Sequence, residues 1–144
     1  MTFCSDNQQH IQARVRSFVT RRGRVTVGQQ RALERWWPEF GLDAQDRVDL
    51  SRLFPGCERL VVELGFGMGD SLIELAQAQP QHGFIGIEVH TPGIGRLMSL
   101  AAAASLRNLR ILHGDGVEIL SQAFAPGTID SLLIFFPDPW PKKR

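Results

Sequence analysis

Arg59-Leu60-Val61-Val62-Glu63-Leu64-Gly65-Phe66-Gly67-Met68-Gly69-Asp70-Ser71 is the stretch on which the fold turns. An apolar run without polar alternation suits a strand buried on both faces, which is the setting of a parallel sheet. Gly65, Gly67 and Gly69 then permit a tight turn and let a ligand approach the backbone with no Cβ in the way. Ser71 followed three residues on by Glu74 matches a capping box, so the spacing predicts a helix opening at Ser71 with its N–H groups aimed at the turn. Strand, glycine turn and helix mouth in that order build a nucleotide-binding corner of an α/β fold.

The glycine spacing bears on which nucleotide. A dinucleotide fingerprint needs G-x-G-x-x-G, and counting from Gly65 places Asp70 where the third glycine belongs. The pattern that stands here, E-x-G-x-G-x-G with Glu63 two residues before the first glycine, resembles the first motif of the S-adenosylmethionine (SAM) methyltransferases. A carboxylate at this place suits SAM, which carries an α-amino group and a sulfonium and no phosphate; a pyrophosphate would be repelled.

At 144 residues, 43% apolar and 22% charged, the chain is about one domain long and can bury a core. Cys4 and Cys57 lie far apart with no C-x-x-C or Cys/His ligand spacing, and His10, His82, His90 and His113 show no metal-ligand spacing either. No charged-then-apolar leader and no apolar run long enough to cross a membrane is visible, so the expectation is a soluble cytoplasmic protein with no metal and no membrane partner. The formal net charge is only +1, but it is unevenly spread. Arg14, Arg16, Arg21, Arg22, Arg24, Arg31 and Arg35 face a single acid, Glu34, which is the electrostatic footprint of a polyanion partner. Arginine throughout, with Phe18 nearby, favours bidentate phosphate contacts and stacking on bases, and so an RNA.

Residues 1–12 carry no period and read as an arm. Thr26 and Gln29 form a second capping-box pattern, and Ala32, Leu33, Trp36 and Trp37 recur at helical spacing until Pro38, where the helix is expected to stop. Between Glu39 and Glu58 the balance turns acidic and Gly41, Pro55 and Gly56 appear. The expected division is therefore a basic arm with a short helix over 1–56 and a SAM-binding Rossmann-like domain over 57–144.

Beyond the glycine corner a helix over Ser71 to Gln79 ends at Pro80, and Phe84 to Val89 is a second strand. Glu88 closes it about 20 residues past the glycines, the offset at which an acid bonds a ribose diol in sheets of this class. Thr91 as cap and Pro92 in the first turn open a helix through the alanines to Ser105. Leu109 to His113 is a third strand followed by Gly114-Asp115-Gly116, where Asp115 is placed to accept from an adenine amino group and Val117 to offer the ring an apolar edge. A helix over Val117 to Phe124 leads into a fourth strand, Ile129 to Phe136. At its carboxyl end, where open α/β sheets bind ligands, lies Pro137-Asp138-Pro139-Trp140-Pro141-Lys142-Lys143-Arg144. This loop is either a proline-rich exit with a basic tail or a catalytic loop of the D-P-P-aromatic type used by N-methyltransferases, with Trp140 replacing the second proline.

Four stretches together resemble the bacterial tRNA (guanine-N7-)-methyltransferases: Arg21-Arg22-Gly23-Arg24, E-L-G-F-G-M-G over Glu63 to Gly69, Gly86-Ile87-Glu88-Val89-His90 with Pro92-Gly93, and Phe135-Phe136-Pro137-Asp138-Pro139-Trp140. The resemblance covers residues 14–144. It implies a class I SAM methyltransferase sheet, SAM contacts on Glu63, Glu88, Asp115 and Asp138, a catalytic role for Asp138, a tRNA contact at Lys142 and a guanine of the tRNA variable loop as substrate. Gly65, Gly67, Gly69 and Gly116 join the cofactor-binding candidates, and Arg21, Arg22 and Arg24 the tRNA-binding ones. Guanine N7 bears a lone pair and no proton, so alignment supplies most of the rate without a general base. Asp138 is then an electrostatic and positioning group for a purine turning cationic, and Trp140 a stacking partner. Only four strands are countable, fewer than a full sheet of this class, so the sequence reads as the amino-terminal part of such an enzyme. A non-catalytic RNA-binding fragment and a nicotinamide-dependent oxidoreductase stay open as alternatives.

Overall fold

In the computed structural model, which describes residues 25–135, the chain runs α1 (Val27–Phe40), β1 (Gly41–Leu42), α2 (Leu50–Leu53), β2 (Leu60–Leu64), α3 (Asp70–Ala78), β3 (Gly83–Glu88), α4 (Thr91–Ala103), β4 (Leu109–His113), α5 (Gly116–Ala123) and β5 (Ser131–Ile134). The apolar runs of β2, β3 and β4 become parallel strands because each packs on both faces. Val61 faces a cluster built with α1, α3 and α4, including Leu33, Phe40, Leu72, Ile94 and Leu97. Its neighbours Leu60 and Val62 face the opposite cluster with Phe54, Ile119 and Phe124. A strand covered twice has no use for alternating polar residues.

The strand order is β1-β4-β3-β2-β5, and every pairing is parallel, with Glu63 opposite Gly86 on one side and Leu133 on the other. From β2 the chain steps outward to β3 and β4, then returns to lay β5 on the other flank of β2. The order thus reverses at β2, and the crevice beyond the carboxyl ends of β2, β3 and β5 is where this architecture binds ligands. Asp130 fixes the returning strand: its carboxylate accepts from the Leu60 N–H at 2.8 Å while its own N–H donates to the Leu60 carbonyl at 2.9 Å.

The α/β class and the burial of β2, β3 and β4 on both faces are as expected, while several local expectations change. Among the described residues the sheet has five strands rather than four, because Gly41–Leu42 adds a two-residue edge beside β4. Among the described residues the fourth expected strand starts at Ser131 rather than Ile129, since Asp130 is spent on anchoring, and Ser131–Ile134 forms the ladder. The Thr26–Gln29 capping box forms, but Pro38 does not end α1, which runs two residues further to Phe40. An interior proline costs about 3 kcal/mol, and burial of large apolar side chains contributes about 1.5–3 kcal/mol each. Leu33, Trp37 and Phe40 are all buried against α4 and the sheet, so packing outweighs the lost hydrogen bond. The acidic stretch after α1 holds the short helix α2, capped by the Asp49 carboxylate on the Ser51 N–H. Helix α4 begins at Thr91 with His90 as its capping residue and no side-chain cap, one position earlier than Thr91 as cap implies.

Candidate functional site

The glycine corner is built by left-handed backbone. Gly65, Gly67 and Gly69 have φ of +68°, +61° and +87°, values that L side chains resist. At Gly65 and Gly67 the space a Cβ would take is open. The corner is also held from behind. A Cβ at Gly93 would run into the Gly67 carbonyl oxygen, so that glycine lets α4 lie directly against the turn. From the next helical turn Arg96 donates 2.8 Å bonds to both the Met68 carbonyl and the Asp70 carboxylate. Neither contact is signalled locally; a glycine inside a helix, which costs about 1 kcal/mol, is the one available hint of close packing at residue 93.

Glu63 is the fourth residue of β2 and only 2% exposed. Burial pushes its carboxyl above the usual glutamate range, the nearby Glu88 carboxylate adds to the shift, and the Ser71 hydroxyl opposes it. Ser71 Oγ lies 3.1 and 3.3 Å from the two Glu63 oxygens. This corrects the capping-box reading: α3 begins at Asp70, its N-cap is Gly69 with no side-chain cap, and the serine hydroxyl donates to the strand. Left-handed Gly69 turns the chain into the helix before Ser71 is reached, so Ser71 lies inside α3 rather than at its cap.

Glu88 ends β3 with 7% exposure. Its Oε1 accepts from the Val89 and His90 N–H groups at 2.9 and 3.0 Å, and its Oε2 from the Gly67 N–H at 2.8 Å. Three of the four lone-pair directions of the carboxylate are therefore taken by backbone, leaving one for an outside hydroxyl. Among the described residues neither Glu63 nor Glu88 forms an ion pair. Two buried carboxylates on adjacent strand ends make the corner attractive to a cation.

Asp115 and Gly116 have local duties. Asp115 is the N-cap of α5, accepting from the Glu118 N–H at 3.0 Å. Gly116 is packed against the Leu64 side chain, which a Cβ would strike. The structure therefore brings Glu63, Glu88 and the three turn glycines together, with Asp115 exposed at the adjacent strand end beside exposed Val89 and Val117. Asp138, Lys142, Arg21, Arg22 and Arg24 lie outside the described residues. Within those residues no group of three or more His, Cys, Asp or Glu is placed to hold a metal, and no helix is long and apolar enough to cross a membrane.

Comparison with known proteins adds three findings. A family model described as a putative methyltransferase matches residues 58–144. The chain is 50% identical over 132 residues to a tRNA (guanine-N(7)-)-methyltransferase of Shewanella piezotolerans, covering 91% of this chain and 56% of that protein. It is 47% identical over 137 residues to a tRNA (guanine-N(7)-)-methyltransferase of Streptomyces coelicolor, covering 94% of this chain and 51% of that protein. The chain thus spans about half the length of the curated relatives it matches. Among solved structures, a 30S ribosomal A1408 methyltransferase from an uncultured bacterium superposes with a TM-score of 0.50 at 23% identity, over 64% of this chain and 46% of that one. That likeness is one of fold.

Proposed function

The chain belongs to a family of putative methyltransferases, and from that premise we propose that it carries the SAM-binding region of a cytoplasmic tRNA (guanine-N7-)-methyltransferase. The observation that carries the reading is the corner itself: a buried carboxylate on a central parallel strand, opening on a glycine turn where the strand order reverses. SAM fits the groups found there. Glu63 offers a negative charge to the α-amino group, and the N-terminus of α3, uncapped by any side chain, offers N–H groups and the positive end of the helix dipole to the carboxylate. The remaining acceptor direction of Glu88 suits one ribose hydroxyl, and Val89 and Val117 give an adenine ring apolar edges. Open space at Gly65 and Gly67 admits the ligand against the backbone.

When bound, SAM supplies an electrophilic methyl group to a nucleophile that already has a free lone pair. The chain's part is to hold guanine N7 in line and to exclude other poses, which is worth about 7–11 kcal/mol in well-oriented reactions. Asp138 is assigned to steadying the purine as it becomes cationic, Trp140 to stacking on it, Lys142 to a contact with the tRNA substrate, and Arg21, Arg22 and Arg24 to tRNA phosphates. The relatives' names and the arginine cluster support tRNA as the partner.

Calorimetric titration of the chain with SAM and, separately, with NAD tests the reading. SAM binding without NAD binding is expected. NAD binding in place of SAM would return the corner to the dinucleotide class and overturn it.

A further inference from the structure

We propose that Ser71 is a positioning residue for the cofactor site: its hydroxyl fixes the Glu63 carboxylate in the orientation in which it receives the cationic amino group of SAM. The inference rests on the SAM-binding reading and goes beyond it, because the hydroxyl has been displaced from the one role its local sequence suggests. A serine that opens a helix ordinarily spends its oxygen on the N–H groups of the first turn. Here Gly69 is the cap, α3 has no side-chain cap, and the serine reaches back eight residues to straddle both oxygens of a glutamate in β2.

The pairing has an electrostatic reason. Glu63 is sealed in the sheet and Ser71 is exposed, so the hydroxyl is the solvent-side partner of a carboxylate that water scarcely reaches. Among the described residues the groups facing Glu63 from the neighbouring elements are few. From β3 comes Glu88, which repels its charge; Gly86 of β3 and Leu133 of β5 stand opposite it in the sheet and carry none; from α3 comes Ser71. Burial and Glu88 both favour the protonated form, and among the described residues the hydroxyl works the other way. A protonated or rotated Glu63 would meet the ammonium with a dipole instead of a charge. A donated hydrogen bond that touches both oxygens restrains the carboxylate's rotation as well as its proton.

The sign follows. Binding of the amino group needs ionised Glu63, so SAM affinity is lost as pH falls through the Glu63 titration. Without the hydroxyl that loss begins at higher pH.

The experiment combines a carboxyl-carbon NMR titration of Glu63 in the SAM-free chain with SAM calorimetry across pH 5–8, on the parent, Ser71→Ala and Ser71→Thr. Ser71→Ala is expected to raise the Glu63 midpoint and weaken SAM roughly tenfold at neutral pH, while Ser71→Thr, which keeps the hydroxyl, restores both. Circular dichroism of each variant excludes loss of fold as the cause. An unchanged Glu63 midpoint in a folded Ser71→Ala chain overturns the inference. Failure of the parent to bind SAM while Ser71→Ala still shifts the midpoint overturns the SAM reading instead, leaving the hold of Ser71 on Glu63 in place.

Discussion

At the scale of the residue, Glu63 sets binding against stability. Its carboxyl is raised in the folded chain, chiefly by burial. Such a group contributes stability that is fully present below the unfolded glutamate value and is lost as pH rises through the folded one. At neutral pH the ionised carboxylate therefore burdens the fold. Glu63→Gln keeps an acceptor for the Ser71 hydroxyl and is never charged. We expect it to stabilise the chain by roughly 1 kcal/mol at pH 7, with the gap to the parent closing as pH falls, and to lose SAM binding. Denaturant melts at several pH values check this, and a variant less stable than the parent at pH 7 would show that the carboxylate is fully compensated in the folded state.

At the scale of the element, the glycine turn is held between α3 and α4 by Arg96 and by the direct seating of Gly93 on Gly67. The ion pair from Arg96 to Asp70 is largely exposed, and exposed pairs contribute about 0–1 kcal/mol. Its effect is expected to be local. Arg96→Ala should lower global stability by less than about 1 kcal/mol while speeding amide exchange at Gly67 and Gly69, because the Met68 carbonyl between them loses its charged donor. Hydrogen exchange followed by mass spectrometry reads both. Unaltered exchange in the turn would mean that the packing of Gly93 suffices to order it.

At the scale of the whole molecule, β5 is paired to β2 on one side and ends the sheet among the described residues. Leu132, Ile134 and Phe135 are 44%, 44% and 56% exposed. An apolar strand with an unpaired row of N–H and C=O groups is a template for association. The chain is expected to self-associate as concentration rises. Leu132→Lys combined with Ile134→Lys should raise the monomer fraction in sedimentation velocity, since a charge on an edge strand is the usual block to such pairing. A parent chain that stays monomeric at every concentration would show that this edge is already protected.

Much of this was legible locally. Leu109 to His113 is a strand with the limits its apolar run implies, and Thr26 with Gln29 caps α1 as the spacing implies, because both depend on interactions within a few residues. The glycine turn and the parallel setting of β2 were readable for the same reason: burial on two faces leaves its mark as an unbroken apolar run, and left-handed backbone leaves its mark as glycine. What no local pattern contains is the choice among partners. Ser71 was offered a helix cap and took Glu63 instead, eight residues back in β2. Pro38 stayed inside a helix because Phe40 had a core to fill, and Gly41–Leu42 became a strand because β4 had a free edge. In each case the competing local options differ by about 1–3 kcal/mol, a margin that contacts between residues distant in the chain are large enough to decide.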